Sequence, residues 1–156
     1  AQGNNLTVGG EAVVLNTTGS ATISAITDNG DGSYSATIKN AVAEDVTISG
    51  SIGGTSITDT AVVSFFAGPP NANQSTITTV TNNAVADGSD NNNVEITVRD
   101  ATGNLLANTV VNVALINTGN AAPGIIHVMT DGNGQLSIDL ASFTAESLNI
   151  GFTVEG

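Results

Sequence analysis

Apolar and polar residues alternate along most of this chain, and the alternation has a period of two. Segments such as 11–15 (Glu-Ala-Val-Val-Leu) and 93–98 (Asn-Val-Glu-Ile-Thr-Val) place apolar side chains on one face and polar ones on the other, which is typical of half-buried β-strands. Apolar residues nowhere recur at helical spacing through three turns, and Thr, Val and Ile favour the pleated surface. The pattern therefore predicts an all-β protein without a substantial helix.

Gly, Asn and Asp separate the alternating segments. The N-terminal part predicts five strands, at residues 11–15, 21–26, 33–38, 46–50 and 56–66. The C-terminal part predicts six, at residues 75–80, 93–98, 110–115, 125–129, 136–140 and 148–154. Short strands at intervals of about ten residues are typical of an antiparallel β-sandwich of the immunoglobulin type.

Part of the sequence occurs twice. Residues 1–6 return as residues 101–106, an offset of 101 − 1 = 100. The corresponding pairs are Leu6 and Leu106, Val13 and Val113, Leu15 and Leu115, and, after a two-residue insertion in the second copy, Gly32 and Gly134, Val46 and Leu148, and Ile48 and Ile150. This period is too long for a solenoid turn, so each copy is predicted to be a small domain.

Between the copies lie Gly68, Pro69, Pro70 and Asn71. The two prolines remove two backbone donors and fix two φ angles, which predicts a short, fairly stiff interdomain linker. The expected domains are therefore residues 1–70 and 71–156, as tandem immunoglobulin-like antiparallel β-sandwiches. Compared with each other, the first lacks its first two strands and the second lacks its last strand. Open sheet edges predict either an excised fragment or strand exchange between chains.

Charge and composition restrict the function. The chain has fourteen acidic residues and two basic ones, Lys39 and Arg99, which gives a formal net charge of −12. This charge repels phosphate backbones and anionic membrane surfaces, so nucleic acid is not an expected partner. With no cysteine, disulfides, thiol chemistry and cysteine-based zinc sites are excluded. No stretch approaches the ~18 apolar residues of a membrane span, so this segment is not expected to insert into a membrane.

Several motifs recur in register and carry a family resemblance. They are Val85-Ala86-Asp87-Gly88, then Val94 to Asn104 with its Asp100-Ala-Thr-Gly-Asn turn, then Thr130-Asp131-Gly132-Asn133-Gly134, and in the first copy Thr27 to Thr37 and Ala61 to Gly68. The chain resembles the bacterial immunoglobulin-like domain (group 1) repeats of intimin and invasin type outer-membrane adhesins. The resemblance implies a non-enzymatic β-sandwich unit at the bacterial cell surface, anchored to the outer membrane by a region outside this segment.

The resemblance leaves two functions open. One is a stalk or spacer that projects a distal binding tip for cell adhesion, with neighbouring modules of the same chain as its partners. The other is a module that binds a host receptor, a glycan or another bacterial cell through exposed loops or an edge strand. Only 3% of the residues are aromatic, which leaves few side chains suited to binding hot spots or sugar stacking.

The acidic turns Asp28–Asp31 and Asp87–Asp90 are candidate calcium sites, because carboxylates and carbonyls are the ligands that calcium prefers. Neither turn has the full EF-hand spacing with its distant Glu, and turns of this composition are common without a metal. The expectation is therefore no cofactor and no metal site, with calcium as the alternative.

Two further side chains are candidates for chemistry. The single histidine, His127, alternates with Ile126 and Val128 and is predicted to face solvent. No nucleophile elbow accompanies it, so no catalytic residue is assigned. Lys39 precedes Asn40, which raises the alternative of an internal Lys–Asn cross-link, but a solvated charge at a strand end is the simpler interpretation.

The alternation also places the large apolar side chains. Tyr34 is predicted to fill the first core, and Leu136 takes the corresponding place in the second. Phe65 and Phe66 are adjacent, so one is expected to face the core and the other to face outward.

Overall fold

A computed structural model describes residues 6–116 and 126–154, and its described residues are β-strands, turns and loops. Among them, no helix is long and apolar enough to cross a membrane. The strands are β1 (Val13–Thr17), β2 (Thr22–Ile23), β3 (Thr27–Asp28), β4 (Tyr34–Ser35), β5 (Ile38–Lys39), β6 (Asp45–Ile52), β7 (Thr55–Ser56), β8 (Ala61–Ser64), β9 (Thr76–Thr81), β10 (Asn92–Thr97), β11 (Val110–Ile116), β12 (Ile126–Met129), β13 (Gln135–Leu140) and β14 (Asn149–Val154).

The chain forms two compact units, unit 1 at Ala1–Phe66 and unit 2 at Ala67–Gly156. The division lies four residues before the expected boundary between residues 70 and 71, so Gly68 to Asn71 belong to unit 2. The reason is local bonding: the Gly68 amide donates to Oδ2 of Asp100 at 2.9 Å, and the Asn71 amide donates to the Arg99 carbonyl at 2.8 Å.

Unit 1 is organised around β6, the long strand of its sheet. One edge of β6 pairs with β1, and the other pairs with β8 at residues 45–48 and with β7 at residues 51–52, all antiparallel. The predicted strand at 56–66 is therefore two strands, because the polar bend Thr58-Asp59-Thr60 interrupts it. Val46, which pairs with Val63 of β8, is 0% exposed.

The second part of unit 1 is an interrupted hairpin. The predicted strands at 21–26 and 33–38 are replaced by the pairs β2–β5 and β3–β4. Between these pairs the Ser24 hydroxyl accepts the Thr37 amide at 2.9 Å, while the Ser24 amide donates to the Thr37 carbonyl at 2.9 Å. A side-chain oxygen thus replaces one ladder acceptor, which breaks the regular strand without separating its two arms.

Unit 2 is a sandwich of two three-stranded antiparallel sheets, ordered β13-β10-β9 and β12-β11-β14. All six predicted strands form within about two residues of their expected ends. Ile125, the expected first residue of β12, lies outside the described residues. The tandem immunoglobulin-like all-β fold is confirmed.

The core of unit 2 lies between its sheets. From one side the core receives Ile96 of the central strand β10 and Val98, which directly follows that strand. From the other it receives Val111 and Val113 of the central strand β11, and all four are almost wholly buried. Leu106 and Leu136 complete the cluster, which confirms the predicted position of Leu136. The chain has no disulfide to restrict its unfolded state, so the stability of unit 2 depends on burial of this apolar surface.

The aromatic residues of unit 1 are less buried than expected. Tyr34 is only half-buried, because its hydroxyl reaches the surface and accepts the Glu11 amide at 2.9 Å. Phe65 is half-buried and Phe66 is exposed, as their adjacency predicted.

Candidate functional site

The carboxylate of Asp100 accepts several hydrogen bonds, one of them from Gly68 of the expected linker. Its Oδ1 accepts the Thr102 amide and hydroxyl, each at 2.8 Å, and the Asn104 amide at 2.9 Å. Its Oδ2 accepts the Asn104 side-chain amide and the Gly68 backbone amide, both at 2.9 Å. Asp100 therefore joins the turn at 100–104 to the segment that enters unit 2.

Burial and hydrogen bonding shift the pKa of this carboxylate in opposite directions. Asp100 is 4% exposed, and removal from water alone raises its pKa. The donors on Asn104, Gly68 and Thr102 stabilise the charged form more strongly, so they hold the pKa of Asp100 well below its ordinary value. An ionised, fully bonded carboxylate of this kind is a fixed structural group.

Asn71 organises the remainder of the expected linker. Its side-chain oxygen accepts the amides of Asn73 at 3.0 Å and Gln74 at 3.2 Å, and its carbonyl accepts the Ser75 hydroxyl at 2.9 Å. Pro70 forms an isolated antiparallel bridge with Asp100. Within unit 2 these residues thus lead the chain into β9 in a fixed conformation.

The same turn geometry occurs at Asp100–Asn104 and Asp131–Gln135. In each, the first residue's amide donates to the fifth residue's carbonyl, at 2.9 and 2.8 Å, and the glycine amide donates back to the first carbonyl, at 3.1 Å in both. The fourth residue is a glycine with φ of 93° at Gly103 and 69° at Gly134. A left-handed glycine in this place is typical of three-residue hairpin loops.

The hairpin at Asn29–Ser33 is a third case. The Asn29 amide donates to the Ser33 carbonyl at 3.1 Å, and Gly32 has a φ of 87°. These three turn motifs therefore share one physical task, which is to reverse the chain.

Carboxylates of the predicted acidic turns accept bonds from their own loops. Oδ1 of Asp31 accepts the Ser33 hydroxyl at 2.6 Å and amide at 3.0 Å, and Oδ1 of Asp87 accepts the amides of Ser89 and Asp90 at 2.8 and 2.9 Å. Over residues 6–116 and 126–154, no group of three or more acidic or histidine side chains is placed to hold a metal ion.

These bonds lower the pKa values of the carboxyl groups. The Ser33 hydroxyl lowers the pKa of Asp31, and the backbone amide of Asp90 lowers the pKa of Asp87. The backbone amide of Gln135 has the same effect on the pKa of Asp131. Hydrogen bonds from donors in the loops stabilise the ionised forms, so these acids serve the turns that contain them.

The other candidate residues do not converge on a common site. His127 is exposed, as predicted, and its Nδ1 contacts Oδ1 of Asn112 on the neighbouring strand. Lys39 lies in β5 opposite Thr22 and is exposed. The Asn40 side-chain amide donates to Oε1 of Glu44 at 2.8 Å, and this bond lowers the pKa of Glu44.

Sequence reasoning missed a cleft at one end of unit 2. It has a volume of about 610 Å³ and is bounded by strand β9, the loop at 82–92 and the segment at 142–150. The Gly88 amide donates to the Ser142 carbonyl at 3.0 Å and holds this loop against this segment. The ring of Phe143 lies against Gly88, yet the side chain is 83% exposed. No local motif marks this cleft, because its walls come from segments far apart in the sequence.

The C-terminal part of the chain matches a known protein family. The bacterial Ig-like domain (group 1) matches residues 74–156, more than half of the 156 residues. The chain belongs to the bacterial Ig-like domain (group 1) family. Residues 1–68 match a second family, described as invasin, domain 3. The resemblance inferred from the motifs is confirmed, and the core and turns of unit 2 are those of a bacterial Ig-like domain.

The chain is similar to several solved structures, of which InvD supports the fold. InvD of Yersinia pseudotuberculosis is 18% identical with a TM-score of 0.53, over 99% of this chain and 47% of that chain. The D0-D1 domain of intimin is 20% identical with a TM-score of 0.43, over 99% of this chain and 78% of that chain. Invasin, described as a bacterial integrin-binding protein, is 21% identical with a TM-score of 0.48, over 96% of this chain and 30% of that chain. A search of curated proteins found no match.

Proposed function

We propose that this chain is a spacer segment of a bacterial surface adhesin, in which tandem Ig-like units hold a distal binding tip away from the cell. The main support is the use of the candidate polar groups: the carboxylates of Asp31, Asp87, Asp100 and Asp131 accept bonds from their own turns or from the segment entering unit 2. Groups used in this way stabilise the fold and are not directed at a substrate. The proposed segment is therefore non-enzymatic.

The antiparallel ladders suit a spacer under tension. In unit 2, β10 is paired along its length with both β9 and β13, and β11 is paired with both β12 and β14. Cross-strand hydrogen bonds that are loaded together resist extension better than bonds broken one after another. Gly68 and Asn71 are bonded within unit 2, which supports a stiff entry into that domain.

The family membership supports the proposed location. We place the segment at the bacterial cell surface, carried by an outer-membrane anchor outside these residues, with neighbouring Ig-like modules as its partners. The net charge of −12 supports the exclusion of nucleic acid as a partner.

A binding assay on the 156-residue chain tests the proposal. A spacer is expected to bind neither host cells, nor bacterial cells, nor a glycan array in a saturable way. The acid-unfolded chain is the control for non-specific binding, because it exposes the apolar core of unit 2 and binds without saturation. Saturable binding by the folded chain would contradict the spacer role.

One observation favours a second function, that of a receptor- or glycan-binding module. Phe143 is 83% exposed next to the cleft of unit 2, and exposed aromatic rings are common anchors in binding sites. If this function is correct, Phe143→Ala abolishes cell or glycan binding, whereas the equally exposed Phe66→Ala does not. If neither substitution changes binding, the second function is excluded.

A further inference from the structure

The sequence contains two Asn-Gly pairs, Asn29-Gly30 and Asn133-Gly134. In such a pair the backbone nitrogen of the glycine can attack the side-chain carbonyl carbon of the asparagine, because glycine has no Cβ to obstruct the approach. Both asparagines are exposed and both lie in the hairpin turns described above, although at different places in the turn. The two pairs therefore offer the same chemistry in different surroundings.

The backbone of Asn133-Gly134 is fixed on both sides of the glycine. Gly134 is buried, its amide donates to the Asp131 carbonyl at 3.1 Å, and its carbonyl accepts the Val98 amide at 2.9 Å. The partner of the amide is a backbone carbonyl, which is not a group that accepts a proton in acid–base catalysis. This nitrogen is therefore held away from reaction.

Gly30 has different surroundings. It is exposed, and an added Cβ would meet nothing within 4 Å, so its peptide unit has room to rotate. Its amide donates to Oδ1 of Asp28 at 2.8 Å, while Oδ2 of the same carboxylate accepts the Gly10 amide at 2.6 Å. A carboxylate held in this place is a general base for the proton that the attacking nitrogen must lose.

Two serines orient the side chain of Asn29. Its Nδ2 donates to Oγ of Ser33 at 3.0 Å, and its Oδ1 accepts the Ser35 hydroxyl at 3.4 Å. A donor on the carbonyl oxygen stabilises the negative charge that develops there during nucleophilic attack. The turn thus brings together a nucleophile, a base and a donor for the oxyanion.

We propose that Asn29 is a self-modification site, at which the folded hairpin converts asparagine to aspartate and isoaspartate. The Gly30 nitrogen attacks Cγ of Asn29 while its proton passes to Asp28. The side-chain nitrogen then takes up that proton and leaves as ammonia, which closes a succinimide ring. Water adds to either ring carbonyl, breaks its bond to the Gly30 nitrogen and returns a proton to that nitrogen. Opening at Cγ gives aspartate, and opening at the backbone carbonyl gives isoaspartate.

The products change the hairpin between β3 and β4. Isoaspartate lengthens the backbone by one methylene, and either product adds a carboxylate next to Asp28 and close to Asp31. Like charges so close together repel each other, and the longer backbone no longer fits the turn. Unit 1 is therefore expected to lose stability as the protein ages.

Peptide mapping by mass spectrometry tests the proposal, because it detects the replacement of an amide by a carboxyl group. In the folded 156-residue chain at neutral pH, Asn29 is expected to be converted at least about tenfold faster than Asn133. In guanidinium chloride the two rates are expected to become equal, since only the sequence then acts. Equal rates in the folded chain, or a difference that persists in the unfolded chain, would overturn the proposal.

A variant without the base makes the test specific. Asp28→Asn is expected to slow the conversion of Asn29 at least about tenfold and to leave that of Asn133 unchanged. Asp59→Asn removes an exposed carboxylate from another bend and is the matched control, with both rates unchanged. An unchanged rate at Asn29 in folded Asp28→Asn would show that the carboxylate takes no proton.

Removal of the oxyanion donor provides an independent check. Ser35→Ala is expected to slow the conversion of Asn29 severalfold, because the charge on its carbonyl oxygen loses a donor. Fluorescence of Tyr34, the one tyrosine in a chain without tryptophan, reports whether unit 1 of each variant is folded. If Asp28→Asn does not fold, Ser35→Ala decides, and an unchanged rate in that variant rejects the proposal.

Discussion

At the scale of single residues, glycine and aspartate determine where the chain reverses. Gly134 has a φ of 69°, and an added Cβ would lie 2.9 Å from the Leu106 amide nitrogen. Gly132, in the same turn, has nothing within 4 Å of an added Cβ. Substitution at these two positions therefore distinguishes a specific requirement for glycine from the general effect of adding a side chain to the turn.

We therefore expect Gly134→Ala to lower the free energy of unfolding by at least about 2 kcal/mol, because left-handed backbone and a backbone contact both oppose the methyl group. Gly132→Ala is the matched control and is expected to change it by less than about 0.5 kcal/mol. Urea denaturation of both variants measures the difference. Equal losses would mean that the turn tolerates a side chain at position 134.

Asp100 makes stability depend on pH in a defined direction. Its pKa is lower in the folded chain than in the unfolded chain, so the unfolded chain binds more protons as the pH falls below the ordinary value of about 3.9. The stabilisation is fully present above that pH and is lost progressively below it.

The Asp100→Asn variant is expected to be less stable at neutral pH and to lose less stability on acidification, because it has no carboxylate to protonate. Thermal melting between pH 7 and pH 2 measures the slope. Asp59→Asn, in the exposed bend between β7 and β8, is the control and should follow the unsubstituted chain. A parallel pH profile for Asp100→Asn would refute this assignment.

At the scale of strands, burial differs sharply across one ladder. Ile96 of the central strand β10 pairs with Ile77 of the edge strand β9, yet Ile96 is 0% exposed and Ile77 is 39% exposed. The same residue type in directly opposite positions therefore makes very different contributions to the core.

Replacement of Ile96 by Ala is expected to cost about 2–5 kcal/mol, through lost burial and the cavity that remains. The same replacement at Ile77 is expected to cost about 1 kcal/mol or less. Equilibrium denaturation of the two variants provides the comparison. A larger loss at Ile77 would show that β9 is covered in solution.

The central strand β10 was predictable because Val94, Ile96 and Val98 keep an unbroken period of two. The hairpin of unit 1 was not, since the Ser24 hydroxyl replaces a ladder acceptor and leaves no mark in the hydrophobic pattern. The Asp100 turn was recognised as a motif, but its bond to Gly68 joins residues 32 apart and depends on the folded chain.

At the scale of the whole molecule, we expect the acidic turns to be structural without a metal. Because Asp31, Asp87 and Asp131 already accept donors from their own loops, EDTA is expected to leave the melting temperature unchanged, and millimolar calcium to leave it unchanged as well. Differential scanning fluorimetry provides the measurement, with magnesium as the ionic-strength control. A rise that is specific for calcium would establish one of the acidic turns as a binding site.

The unequal cores give the two units different resistance to disruption. Among the described residues, Val46 is the one buried apolar residue of unit 1, whereas unit 2 has seven: Val94, Ile96, Val98, Leu106, Val111, Val113 and Leu136. Calorimetry is accordingly expected to give two transitions, the first from unit 1, and a single transition would contradict this. If the chain carries load in the proposed spacer role, unit 1 unfolds first under shear flow, and its reversible extension limits the peak force that reaches the adhesive bond.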